Sequence, residues 1–282
     1  MPRIDSHTHI FPPAQSRSRI AIAGRDPAFA GIYSNPAAKL ASVEDLLTAM
    51  DRAVIETSVV AGFAFRSQRD LDEQNEYLLA RPPTAHAERT WPLATLNLAL
   101  PAWRATAERA LVAGARGFGE LRPHNQGWDP LGPDARTLCA LAREAGVPIL
   151  WHVSEPVGHA YPGKAGGISP VELCQLAASE PATAMIAAHL GGGLSFYLQM
   201  PEIRAALRSV YFDTAAASLL YDEQSIPRLV GLAGPERVLF ASDYPLQSPR
   251  RQLERILAVV PSEHAAAICG QNAEALFSRE TR

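Results

Sequence analysis

Six side chains able to hold a hard or borderline metal ion are spread along this sequence: His7, His9, Glu120, His152, His189 and Asp243. Imidazole nitrogen and carboxylate oxygen are the donors that zinc and similar divalent ions take in catalytic sites, usually with one position left for water. In His7-Thr8-His9 the imidazoles are two residues apart, so on an extended segment they point to one side and can meet one ion. Such an ion lowers the pKa of bound water to about 7 and polarises a carbonyl placed beside it, which makes hydrolysis the first expectation. Asp243 is the candidate to take the proton from the water and deliver it to the leaving group, with His189 steadying the oxyanion or orienting the water. With His189 as the base instead, the same donors would run a non-oxidative decarboxylation or a hydration.

A single strand-end histidine is more often an ordinary hydrogen-bonding residue than a ligand, so the weight lies in where all six fall. The chain repeats one alternation: a short apolar or β-branched run, a polar loop, then a stretch of helical periodicity. Strands are predicted near residues 2–6, 56–62, 90–96, 115–120, 147–152, 183–188, 209–213 and 237–242. Helices are predicted over Val43–Ala53, Trp103–Ala113, Ala135–Ala145, Pro170–Ala178 and Arg250–Val259. Ser42 with Asp45 reads as a helix-starting cap, and so does Ser169 followed by Pro170 and Glu172. Eight strand-helix units in 282 residues predict an α/β chain closed into a single (β/α)8 TIM barrel as one domain, residues 1–282. His7 and His9 then end the first strand, Glu120 the fourth, His152 the fifth, His189 the sixth and Asp243 the eighth, on the face where barrel enzymes keep their chemistry.

The motifs Asp5-Ser6-His7-Thr8-His9, Trp151-His152, Ala188-His189-Leu190-Gly191-Gly192 and Phe240-Ala241-Ser242-Asp243-Tyr244-Pro245 resemble the strand-end motifs of the amidohydrolase superfamily. The likeness is to its amidohydrolase 2 branch, whose members include aminocarboxymuconate semialdehyde decarboxylase and related decarboxylases and hydrolases. It runs from His7 to Asp243 and on to Asn272. The resemblance implies that His7, His9, His152 and Asp243 hold the metal and that His189 stands over the bound water or substrate. Glu120, in Gly119-Glu120-Leu121-Arg122, departs from the decarboxylase pattern and is similar to the strand-four glutamate of TatD-type metal hydrolases. That glutamate would bridge or complete a metal site, although one divalent ion, zinc by preference, is expected over two.

Around this centre, residues 12–42 are expected to be an active-site loop, since they follow the first strand with four prolines before Ala41 and little periodicity. Arg122, His159, Tyr161 and Lys164 are read as a cationic, hydrogen-bonding rim for a small carboxylate-bearing substrate. His124, Gln126 and Trp128 are further candidates for the same pocket, and Asp5 shares a side with His7 and is a candidate to orient its imidazole. Gly158 to Lys164 nearly fits a phosphate-binding loop, but Ala165 stands where a magnesium-holding hydroxyl belongs, so nucleotide binding is not expected. A formal charge of -3 offers no field for nucleic acid, and no window has the apolar length of a membrane span. The Met-Pro-Arg-Ile-Asp start lacks the apolar run of a signal peptide, so the cytoplasm is the expected location, and nothing opposes a homo-oligomer. Cys139, Cys174 and Cys269 form no metal-binding pair and read as small core residues.

Overall fold

A computed structural model describes residues 2–80 and 86–278. The alternation resolves into eight parallel strands: β1 Ile4–His9, β2 Thr57–Ala61, β3 Thr90–Pro92, β4 Phe118–Leu121, β5 Ile149–Trp151, β6 Met185–Ala187, β7 Val210–Asp213 and β8 Val238–Leu239. β1 to β3 pair in sequence order, and so do β4 to β8. Parallel bridges join the two sheets at both seams, Ala94 to Phe118 and Thr8 to Tyr244. Backbone bonds reinforce each seam: the N–H of Gly119 donates to the Ala94 carbonyl at 3.0 Å, that of Ser6 to Phe240 at 2.9 Å and that of Asp243 to His7 at 3.0 Å. The chain has the (β/α)8 barrel fold.

Alternation along each strand sorts the side chains into two populations. Ile4, Val59, Leu93, Leu150, Ile186 and Leu239 fill the barrel axis. Their neighbours Val60, Phe118, Trp151, Met185, Phe212 and Val238 pack outward against the helices. Each large aliphatic buried this way contributes about 1.5–3 kcal/mol, so the register of every strand is held from both faces.

The helices Val43–Ala53, Trp103–Val112, Pro133–Ala145, Pro170–Ser179 and Pro249–Val259 stand where periodicity places them, each within a few residues. Ser42 with Asp45 and Ser169 with Glu172 are complete capping boxes. No helix of the described residues is long and apolar enough to cross a membrane.

Residues 12–42 differ from the expected loop. They carry the short helices Pro13–Arg17, Arg19–Ala23 and Pro27–Tyr33. Pro27 starts the last of these, with the Asp26 carboxylate accepting from the backbone N–H groups of Ala28 and Phe29 at 3.1 Å. The segment is fastened through an aromatic cluster: Phe29 lies 5.5 Å from Phe63 and 4.9 Å from Tyr33, centroid to centroid. Helical periodicity is hard to see in pieces of five to seven residues, which explains why packing and not pattern reveals them.

Candidate metal centre

Three of the six candidate donors lie in strands, and the other three stand within four residues after one. His7 and His9 close β1 and Glu120 is in β4, while His152, His189 and Asp243 follow β5, β6 and β8. Short strands that hand over to loops at the barrel mouth bring them together as two sets of three. The donor atoms of His7, His9 and Asp243 all lie within 4.8 Å of one another, and so do those of Glu120, His152 and His189. Glu120 faces both sets. Its Oε1 is 2.8 Å from His152 Nδ1, 3.4 Å from His189 Nε2 and 3.7 Å from His7 Nε2, while its Oε2 is 3.9 Å from His9 Nε2.

Local backbone geometry makes this convergence possible. Gly119, at φ +146°, lets β4 lie against β5, because a Cβ there would come within 2.6 Å of Leu150 Cβ. His189 (φ 58°) and Asp243 (φ 59°) both adopt the left-handed conformation. That conformation costs an L-residue roughly 1–2 kcal/mol, so their contacts must offset it. The contacts are visible: His189 N–H donates to Asp213 Oδ1 at 2.8 Å, and Asp243 N–H donates to the His7 carbonyl at 3.0 Å.

A buried partner occupies one ring nitrogen of three histidines and turns the other inward. His7 Nδ1–H donates to Asp213 Oδ2 at 2.8 Å, leaving Nε2. His189 Nδ1 faces the Ala215 carbonyl at 3.2 Å, leaving Nε2. His152 Nε2 sits between the Gly163 carbonyl at 2.9 Å and Ser154 Oγ at 3.1 Å, leaving Nδ1 toward Glu120.

The electrostatics show what the cluster lacks. Burial opposes a positive charge on His7, but the Asp213 carboxylate outweighs it and the pKa stands at about 10. His189 is likewise raised to about 9, burial being overcome by its bond to Glu120 and by the Asp243 charge. Burial and the Arg122 cation press His152 down to about 4, and burial with the His7 charge lowers His9. Burial would raise Glu120, yet the surrounding imidazoles hold its carboxyl well below the usual range. Buried carboxylates, held here by protons on neighbouring rings, are the setting that a divalent cation satisfies by displacing those protons. Three nitrogen and oxygen donors per set, with room beside them, fit zinc or manganese.

The rim residues divide. Arg122, His159 and Tyr161 line a cavity of about 540 Å³ that opens onto the centre. Lys164 does not line it: its ammonium turns back onto the carbonyls of Val157 and His159 and fastens its own loop. Asp5 orients no imidazole, because its carboxylate accepts from the Ser242 N–H at 2.9 Å and from the Ser242 hydroxyl. Burial moves the Asp5 carboxyl up to about 7 against those bonds. His124 pairs with Glu172 at 3.0 Å on the surface, and Gln126 spends its amide on the Phe65 and Leu96 carbonyls and accepts from Trp128. The sequence reading missed Asp213, although it too ends a strand, and it missed Tyr33, Lys39 and Phe63 in the cavity wall.

Comparison with known proteins bears on this arrangement. A family model described as Amidohydrolase matches residues 4–279. No curated protein matches the chain. Among solved structures, a 5-carboxyvanillate decarboxylase from Sphingomonas paucimobilis is similar at a TM-score of 0.79 and 16% identity, with 98% of each chain covered. A 2,6-dihydroxybenzoate decarboxylase from Rhizobium follows the same path at a TM-score of 0.71 and 16% identity, again covering 98% of both chains. A 5-carboxyvanillate decarboxylase from Novosphingobium aromaticivorans, complexed with manganese and 4-hydroxy-3-methoxy-5-nitrobenzoic acid, has a TM-score of 0.74 at 16% identity and covers 98% and 96% of the two chains.

Proposed function

This chain belongs to the amidohydrolase family, and from that premise we propose that it is a metal-dependent hydrolase cleaving a C–N or C–O bond of a small anionic substrate. The observation that carries the reading is Glu120, a carboxylate placed where it faces His7 and His9 on one side and His152 and His189 on the other. His7, His9 and Asp243 would hold one divalent ion, and Glu120, His152 and His189 would hold a second, where sequence led to the expectation of one. A divalent ion held by these donors supplies Lewis acidity, which acidifies water and polarises a carbonyl.

The chain's own groups do the rest. Asp243, with Oδ1 3.5 Å from His9 Nε2, is the carboxylate at the mouth best placed to receive a proton from the attacking water and pass it to the leaving group. Asp213 holds His7 in the tautomer that presents Nε2, and the Ala215 carbonyl does the same for His189. Ile32, Phe63 and Leu246 give the cavity apolar walls that thin the water around the reacting bond.

A second reading, non-oxidative decarboxylation by the same donors, is favoured by the solved neighbours, which are named as decarboxylases, one of them holding manganese. At 16% identity they carry the architecture, and what they are named for backs this second reading better than hydrolysis, which rests on the placement of Glu120. Turnover of a panel of lactones, esters, amides and phenolic acids in ¹⁸O-labelled water separates the two. Label in the product acid with no carbon dioxide supports hydrolysis, and carbon dioxide released with no label in the organic product replaces it by the second reading. Metal content near two ions per chain supports the role given to Glu120.

A further inference from the structure

Resting on the reading of this cavity as the reaction site, we propose that Arg122 and Tyr33 form a carboxylate-binding subsite in its wall, separate from the metal donors. The substrate it selects has an apolar body and a carboxylate held by the chain itself.

Arg122 follows β4 and is only 4% exposed. A guanidinium stays charged even when buried, so leaving one without an anionic partner is costly. Its Nη2 donates to the carbonyls of Gly163 and Ala165, which fixes its plane against the loop after β5. Its Nε–H is sealed inside the protein without a partner, its Nη1 donates to nothing among the described residues and is the donor left for the cavity, and no carboxylate oxygen among those residues lies within the 4.0 Å of an ion pair. The side chain nevertheless lines the cavity, with a positive charge and unused donors.

Tyr33 supplies a second donor from a different part of the chain. Its ring is held by Phe11 at 5.2 Å, Phe29 at 4.9 Å and Phe63 at 5.9 Å, so the hydroxyl is positioned by packing. Tyr33 lines the same cavity, and its hydroxyl has no hydrogen-bond partner among the described residues. The other cation of the wall, Lys39, is already occupied by Asp45 at 2.9 Å and the Tyr244 hydroxyl at 3.1 Å. A fixed cation with a spare N–H and a fixed phenol, in a cavity with Ile32 and Phe63 on its walls, match an apolar molecule ending in a carboxylate.

The test is calorimetric binding of benzoate and of its neutral isostere benzamide, to the metal-loaded chain and again after chelation. Benzoate is expected to bind at least about tenfold more tightly than benzamide, as a charge-assisted hydrogen bond would give, and to keep that preference without metal. Arg122→Gln should abolish the preference and Tyr33→Phe should reduce it several-fold. Should Arg122→Gln fail to fold by releasing the Gly163 loop, Tyr33→Phe still decides, because it keeps the aromatic packing and breaks no internal bond. Equal binding of the two probes overturns the proposal, and so does a preference that disappears on chelation or ignores both variants. Preference without any hydrolytic turnover would sink the hydrolase reading alone, whereas turnover without preference would sink the subsite alone.

Discussion

An imidazole offers either nitrogen to an ion, and the partner of the other nitrogen decides which. Asp213 makes that choice for His7 and, through its second oxygen, also receives the backbone N–H groups of His189 at 2.8 Å and Ala215 at 3.1 Å. One carboxylate thus orients a donor in each set. Asp213→Asn keeps the volume but puts an amide before His7 Nδ1, which favours the tautomer with the proton on Nε2. Metal affinity is therefore expected to fall about 10- to 100-fold with the fold retained, read by competition with a chromophoric chelator. An unchanged affinity would remove Asp213 from this role. Glu120→Gln acts on number instead of orientation: elemental analysis should find fewer ions per chain than in the unaltered protein, and an unaltered count would show that Glu120 holds none.

At the scale of elements, the segment over the mouth owes its place to a few polar fastenings as much as to its aromatic cluster. The Gln15 amide donates to the Asp70 carbonyl at 2.8 Å, and the Arg25 guanidinium grips the Asp70 carboxylate at the start of the helix Gln68–Leu79. Burial would raise the Asp70 carboxyl, but Arg25 and Ser67 outweigh it and hold it below its ordinary 3.8. A depressed carboxylate stabilises the folded arrangement fully above its unfolded pKa and loses that contribution as pH falls through the folded value. The fastening should therefore be intact at neutral pH and weaken only below about pH 4. Hydrogen exchange over residues 13–33 should be faster in Asp70→Asn than in the unaltered chain at pH 7, and the two should converge in acid. Identical protection at pH 7 would show that the aromatic cluster alone holds the segment. The same scale explains what the sequence revealed. The mouth-side ends of these strands were legible to within a few residues because short apolar runs give way at His7-Thr8-His9, His152, His189 and Asp243. The short helices before Tyr33 were not, since each spans less than two turns. Lys164 and Asp5 were misassigned for a related reason: spacing fixes which side of a strand a residue takes, but not whether a nearer carbonyl or hydroxyl captures its charge.

The whole barrel is closed at the place where it gathers its charges. The seam between β1 and β8 consists of the backbone bonds of Ser6, His9 and Asp243, so residues holding the sheet together also hold the candidate donors. Three anionic or polar side chains of that seam, Asp5, Ser242 and Asp243, are nearly inaccessible, as are Glu120 and Asp213 across the mouth. Without a cation the carboxylates lean on protons on His7 and His189 beside the Arg122 charge, and the raised pKa values of about 10 and 9 record that dependence. Metal binding to the folded chain alone must then stabilise it by mass action, about 4 kcal/mol at a thousandfold excess over Kd. For a chain of this size that shift corresponds to roughly 7 °C in Tm. Chelation should lower the calorimetric Tm by about this amount, and zinc or manganese should restore it whereas magnesium, which prefers all-oxygen donors, should not. A melting temperature indifferent to chelation would mean that the six side chains converge for hydrogen bonding among themselves, and the proposed chemistry would lose its foundation.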